Sequence, residues 1–161
     1  MDEQIHIRPI NREDIQWIQA ELQRWWGSHY VVIRKTKYDL SELDGFIATH
    51  NVSKVGLIIT RVEGTVCEIM SLTTSGTLPK TGLDLIKEVI GYARENGMSR
   101  IIVVTTNDNT SALRYYQKMG FNLYALRCNI LEESRKIKPE IPLVGNHNIP
   151  IRDEIELEMI L

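Results

Sequence analysis

Apolar and polar positions alternate from Ile5 to Ile10, which predicts a half-buried first strand. The period then changes. Asn11-Arg12-Glu13-Asp14 sets a capping residue before acidic side chains, as at a helix start. Ile15, Ile18, Leu22 and Trp25 follow at steps of three and four, giving that helix one apolar face, and it ends near Gly27. Tyr30 to Lys37, with Val31, Val32 and Ile33, is extended in character, and Ser41 to Asp44 is a polar turn. A meander of strands is predicted next, over Gly45–His50, Lys54–Val62 and Thr65–Leu72. The connections Asn51-Val52-Ser53 and Glu63-Gly64 are short enough for antiparallel hairpins.

A loop from Thr73 to Thr81, holding Gly76 and Pro79, leads to a helix from about Gly82 to Asn96. Its apolar face carries Leu83, Ile86, Val89, Ile90 and Ala93, and Asn96-Gly97 stops it. Ile101 to Thr106 is a short β-branched run that reads as a buried strand. Asn107, Asp108 and Asn109 break it, and an Asn or Asp there is a natural helix cap. Ala112, Tyr115, Tyr116 and Met119 recur at helical spacing, Gly120 suits the left-handed position past a helix end, and Phe121 opens another strand. That strand ends over Tyr124 to Asn129, and Glu132 to Lys138 reads as a short helix stopped by Pro139. Pro142, Gly145 and Pro150 break up the stretch beyond it. Glu154 to Leu161 alternates again, with Ile155, Leu157 and Met159 on one face and Glu154, Glu156 and Glu158 on the other. The order is that of a mixed-sheet α/β protein with helices on both faces, in a single domain over residues 1–161.

Composition narrows the functional classes. The net charge of −2 provides no field for nucleic acid or an anionic membrane. Cys67 and Cys128 are expected to be small buried hydrophobes in or at the ends of strands, and the four histidines are too scattered for a zinc spacing, so no metal is expected. No apolar run is long enough to span a bilayer, and Met1-Asp2-Glu3-Gln4 has no signal-peptide character, so a cytoplasmic protein is expected. Neither Gly-x-Gly-x-x-Gly nor Gly-x-x-x-x-Gly-Lys-Ser/Thr occurs, which disfavours a nucleotide-binding domain.

The segment Asn109 to Phe121 resembles a signature of the GCN5-related N-acetyltransferases, Asn-x-x-Ala followed by Tyr-x-Lys-x-Gly-Phe, matched by Asn109, Ala112, Tyr116, Lys118, Gly120 and Phe121. The element order resembles that family over nearly the full chain. The resemblance implies a mostly antiparallel central sheet in which a parallel pair, Thr65–Leu72 and Ile101–Thr106, splays apart to admit acetyl-coenzyme A. It implies a phosphate loop at Thr77-Leu78-Pro79-Lys80-Thr81-Gly82, where the family has Arg/Gln-x-x-Gly-x-Gly/Ala. Gly82 fits the last position, while Thr77 and Lys80 replace the Arg/Gln and the first glycine, and Pro79 removes a donor. Backbone N–H groups at a helix start suit a pyrophosphate, and Lys80 could add its charge. The implied coenzyme contacts are thus Leu78, Lys80, Thr81, Gly82 and Leu83 in this loop, Met70, Ser71 and Leu72 along the strand before it, and Asn109, Ala112, Arg114, Tyr115 and Lys118 on the later helix.

Tyr116 holds the family's general-acid position. A phenol of pKa about 10 would protonate a departing thiolate whose conjugate acid lies near about 8.5. The alternative is core packing. Glu68 sits mid-strand between Cys67 and Ile69 and is the candidate base for an arriving ammonium; the alternative is a glutamate paired with a basic side chain. Asn109 can serve as plain cap as well as coenzyme contact, and Arg114 and Lys118 could equally form a solvated charged face. The implied activity is direct acetyl transfer from acetyl-coenzyme A to an amine in a ternary complex, with a non-catalytic coenzyme-binding sensor or interaction module on the same fold as the alternative. Nothing marks Cys67 or Cys128 as an activated nucleophile. The long stretch between the last two strands is expected to cover the acceptor cleft and set specificity; an inert excursion and a homodimer contact are the alternatives.

Overall fold

A computed structural model describes residues 4–161. The expectation about the N-terminal segment concerns Met1 to Glu3, which lie outside the described residues, together with Gln4. In chain order the elements are β1 (His6–Pro9), α1 (Ile15–Trp26), β2 (Tyr30–Ile33), β3 (Thr36–Asp39), β4 (Asp44–His50), β5 (Ser53–Glu63), β6 (Val66–Thr74), α2 (Thr81–Glu95), β7 (Arg100–Thr106), α3 (Thr110–Lys118), β8 (Asn122–Arg127), α4 (Ile130–Ile137) and β9 (Glu154–Ile160). The architecture is mixed α/β with mostly antiparallel strand pairs, as the sequence predicts. Contacts group the chain into two compact units. One holds the residues up to His29, then Asp39–Ile101 and Leu161; the other holds Tyr30–Tyr38 and Ile102–Ile160.

In the first unit, β1, β4, β5 and β6 lie side by side in that order, each antiparallel to the next. The predicted meander is therefore present, with boundaries moved by one or two residues. Gly64 supplies the left-handed turn between β5 and β6. Asn11 accepts the N–H of Glu13 at 3.0 Å, while its own N–H donates to Asp14 at 2.9 Å, so the chain enters α1 through a capping box. Arg8 holds the buried Asp14 carboxylate with bonds of 2.7 and 2.8 Å, and Lys54 stands 3.1 Å away. The Arg8 hydrogen bonds keep the Asp14 carboxyl well below the usual carboxylate range. Ile18 and Leu22 of α1, Ile47 of β4, Leu57 of β5 and Leu85, Ile86, Val89 and Ala93 of α2 are fully buried. A Cβ on Gly56 would come within 2.8 Å of Thr81 Cγ2 and 2.9 Å of Leu85 Cδ1. Glycine in β5 is thus what lets the first turns of α2 lie against the strand.

The second unit departs further from expectation. Tyr30 to Lys37 is not one extended segment: it folds back at Arg34 and Lys35, with φ of 51° and 62°, and β2 and β3 form a separate two-stranded sheet. Neither residue is a usual turn former. The turn is held from a distance instead. The Arg34 N–H donates to both Glu154 oxygens at 3.1 Å, and the Arg34 guanidinium lies 3.6 Å from Glu156. β9 stands between β7 and β8 and pairs antiparallel with β8. Glu154 and Glu156 on β9 are buried, and Arg127 bonds both, at 2.9 and 3.1 Å. α4 starts at Ile130 rather than Glu132 because Ile130 and Leu131 give its first turn buried side chains. Cys67 is buried as expected, but Cys128 is exposed, because it lies one residue past the end of β8 in the turn toward α4.

Candidate active site

β6 carries the first group of site residues, and its ladder is irregular where they lie. Thr60 pairs with Ile69 and Ile59 with Ser71, which leaves Met70 as an extra residue. Such a bulge bends the strand and takes its backbone groups out of the ladder. Cys67, Glu68, Ile69, Met70 and Ser71 are all buried and Leu72 is partly exposed. Trp26, at the end of α1, donates its indole N–H to Ser71 Oγ at 3.2 Å while about half its surface faces solvent. Sequence reasoning missed this contact, because nothing in the spacing brings position 26 to position 71.

Glu68 is 1% exposed and stands opposite Arg61 in the ladder. Arg61 Nη2 donates to Glu68 Oε1 at 3.2 Å, and its Nη1 donates to Glu63 at 2.8 Å. A buried carboxylate needs such a partner, so the ion pair is sufficient reason for Glu68 to sit there. The identity of the partner was not legible: counting back from the expected Glu63-Gly64 turn sets Ile59 across from Glu68, whereas Glu63 pairs with Val66, the turn falls at Gly64-Thr65, and Arg61 stands there instead. Burial, then the Glu68 charge, pushes the neighbouring Cys67 thiol up to about 11, so it stays protonated and poorly nucleophilic at neutral pH.

The loop after β6 leads into α2. Lys80 is exposed and has φ 69°, the left-handed region that glycine occupies without strain. No side chain caps α2. The first-turn N–H groups, on Thr81, Gly82 and Leu83, have no intrahelical acceptor and sit at the positive end of a 15-residue helix. Thr81 is buried, with its hydroxyl turned back to donate to Leu78 O at 3.0 Å, and Leu78, Gly82 and Leu83 are half-buried. These donors, with the Lys80 ammonium beside them, fit a pyrophosphate; Pro79 contributes no N–H.

In the second unit, Asn109 caps α3, its Oδ1 accepting the Ala112 N–H at 3.1 Å. Arg114, Tyr115 and Lys118 are exposed, and Ala112, Leu113 and Met119 are half-buried. The inward stripe therefore runs through Ala112, Tyr116 and Met119, and Tyr115, expected on it, lies off it. Tyr116 is 7% exposed, with its ring edge-on to Phe121 at 5.5 Å and Tyr115 at 5.6 Å. Burial, with a smaller contribution from Tyr115, raises its phenol above the ordinary range, so it remains a proton donor throughout the physiological pH range. Among the described residues no group of three or more His, Cys, Asp or Glu side chains could hold a metal ion, and no helix is long and apolar enough to cross a membrane.

The pattern of the acetyltransferase (GNAT) family matches residues 5–121. The chain is 40% identical over 154 residues to the uncharacterised protein YxbD of Bacillus subtilis, covering 95% of this chain and 97% of that one. Among solved structures, a GNAT family acetyltransferase from Elizabethkingia anophelis with acetyl-CoA bound has a TM-score of 0.72 at 20% identity, covering 99% of this chain and all of that one. The IAA acetyltransferase of Bacillus cereus has a TM-score of 0.70 at 21% identity, covering 98% and 100%. At these identities the likeness is one of fold.

Proposed function

Because the chain belongs to the GNAT acetyltransferase family, we propose that it is an acetyl-CoA-dependent N-acetyltransferase, one catalytic domain over residues 1–161 that acts on a cytoplasmic amine. The observation that carries this reading is the uncapped start of α2 directly after the bulged strand β6. Thr81, Gly82 and Leu83 offer N–H groups, and Lys80 a charge, to the coenzyme pyrophosphate. Met70, Ser71 and Leu72 offer backbone groups to the pantetheine arm and to the oxyanion of the tetrahedral intermediate. Leu78 and the α3 residues Asn109, Ala112, Arg114, Tyr115 and Lys118 complete the coenzyme contacts. The amine lone pair attacks the thioester carbonyl, the C–N bond forms and the C–S bond breaks. Glu68 takes one proton from the ammonium before attack, Tyr116 gives its proton to the leaving sulfur, and the second proton that the nitrogen sheds as the tetrahedral intermediate collapses restores the Tyr116 phenol. The burial that keeps Tyr116 protonated also makes it a weaker acid, so its part is to hydrogen-bond the developing thiolate as much as to transfer a proton.

A second reading has its own support. Glu68 is paired with Arg61, Tyr116 is packed among rings, and Lys80 stands where the family pattern has glycine. Those features suit a module that binds acetyl-CoA without turnover. Thiol release from acetyl-CoA over a panel of small amines, amino-sugars, polyamines and peptide N-termini separates the two. Amine-dependent release that falls in both Tyr116→Phe and Glu68→Gln supports the enzyme. Coenzyme binding with no release above the amine-free rate supports the module.

A further inference from the structure

Residues 138–153 interrupt the regular elements of the second unit, yet they are tied down along their length. Arg135, on α4, donates to Ile141 O at 3.3 Å, to Pro142 O at 2.7 Å and to Ile151 O at 2.5 Å. The other anchor is the turn between β7 and α3. Asn107 Oδ1 accepts the N–H groups of Arg152 and Asp153, both at 3.0 Å, and its Nδ2 donates to Pro150 O at 2.9 Å. Its backbone N–H donates to Asp153 O at 3.1 Å. Asp108 is 3% exposed. Its Oδ2 accepts the backbone N–H and the side-chain Nδ2 of Asn146, at 3.0 and 3.1 Å, and its Oδ1 accepts the Thr106 hydroxyl. Gly145 permits this approach: a Cβ there would stand 2.1 Å from Asp108 Oδ2 and 2.8 Å from its Cγ.

The next residue is Asn109, the cap of α3, and the Thr110 N–H donates to Asp108 O at 2.9 Å. α3 is nine residues long. A helix of that length does not hold itself, so its first turn begins where its surroundings fix it. We propose that the 138–153 segment is a strut: through Asn107 and Asp108 it fixes the first turn of α3, which makes Asp108, Gly145 and Asn146 positioning residues for the coenzyme contacts on that helix. A lid that selects the acceptor by closing over it would need looser attachment than these side-chain-to-backbone bonds provide. The positioning role rests on the coenzyme contacts assigned to α3 under the proposed function.

The test uses the full chain with Gly145→Ala, which displaces Asp108 without changing a charge or removing a donor, and Asn146→Ala, which removes only the side-chain donor. In Gly145→Ala, the Leu113 to Lys118 amides should exchange with deuterium roughly tenfold faster, while the β5 amides keep their wild-type rates. Acetyl-CoA should bind roughly tenfold more weakly, with unchanged preference among amines. Asn146→Ala should move the same readouts in the same direction by less, and it carries the comparison alone if Gly145→Ala does not fold. Wild-type α3 exchange in the folded variants overturns the strut. So does faster exchange that extends equally through β5, or altered amine preference at wild-type coenzyme affinity. If the wild-type chain binds no acetyl-CoA, the proposed function fails, and the exchange comparison by itself still decides the strut.

Discussion

α2 and α3 both follow a strand and both are assigned contacts to one coenzyme, yet they start in opposite ways. α2 begins with no side-chain cap, after a left-handed lysine, leaving first-turn donors open. α3 begins with Asn109 bonded to the Ala112 N–H and with Asp108 bonded to Asn146. An open helix start can offer its donors and its dipole to an anion. A capped and braced one has committed its donors, and can offer only the side chains it holds in place. On the proposed function the difference divides the roles: α2 would bind phosphate, whereas α3 would present Tyr116 and its neighbours. α1 is the internal control: the turn Arg12–Asp14 that leads into it carries the capping box and is braced at Asp14 by Arg8 and Lys54, and no ligand is assigned to it.

The largest effect should follow from filling the open start. Gly82→Glu puts a carboxylate where the phosphate belongs, and acetyl-CoA binding should weaken about 1,000-fold, roughly 4 kcal/mol. The fold should hold, because an acidic side chain suits a helix N-terminus. Calorimetric titration reads the first and circular dichroism the second; near-wild-type affinity would erase the distinction between the two helices. At the control, Asp14→Asn should cost about 3 kcal/mol of stability at pH 7, because it leaves Arg8 facing a neutral group, with no effect on coenzyme affinity. The sign with pH is fixed by the lowered Asp14 carboxyl. Its contribution is present above the unfolded value near about 4 and is lost as pH falls toward the lower folded value. The gap between wild type and variant in urea unfolding should therefore narrow with acidification; a constant gap would contradict the ion pair.

Tyr116→Phe tests whether α3 presents chemistry. It keeps the ring packing against Phe121, so kcat should fall about 100-fold with acetyl-CoA affinity changed less than about threefold. An unchanged kcat would return Tyr116 to the core. The smallest effect is expected at Lys80→Gly. Relief of the left-handed strain should stabilise the chain by about 1 kcal/mol in urea unfolding, while loss of the ammonium weakens coenzyme binding a few-fold. Tighter binding would mean that the lysine obstructs the phosphate rather than attracting it.

The sequence showed α2 and α3 clearly because their apolar positions recur every three to four residues and because Asn109 and Gly120 punctuate α3. It also showed the β4–β6 meander, whose hairpin turns contain Asn51 and Gly64, both left-handed in the structure. It concealed the β2–β3 turn, because Arg34 and Lys35 adopt positive φ for the sake of Glu154, more than a hundred residues away. The alternation of β9 did not tell which of its faces is buried, because the partners that let Glu154 and Glu156 be buried are the distant Arg127 and Arg34. The bulge at Met70 carries no glycine to announce it. At the candidate site, the residue types were legible, while the Arg61 and Trp26 contacts and the bracing of Asp108 depend on tertiary register that periodicity does not encode.

Thermal denaturation of the wild-type chain with and without millimolar acetyl-CoA bears on all of these roles at once. With Kd near ten micromolar, millimolar ligand adds about 2.7 kcal/mol, and the midpoint should rise by roughly 6 °C. The same addition should leave Gly82→Glu where it was. A wild-type midpoint that does not move at millimolar acetyl-CoA would contradict the account.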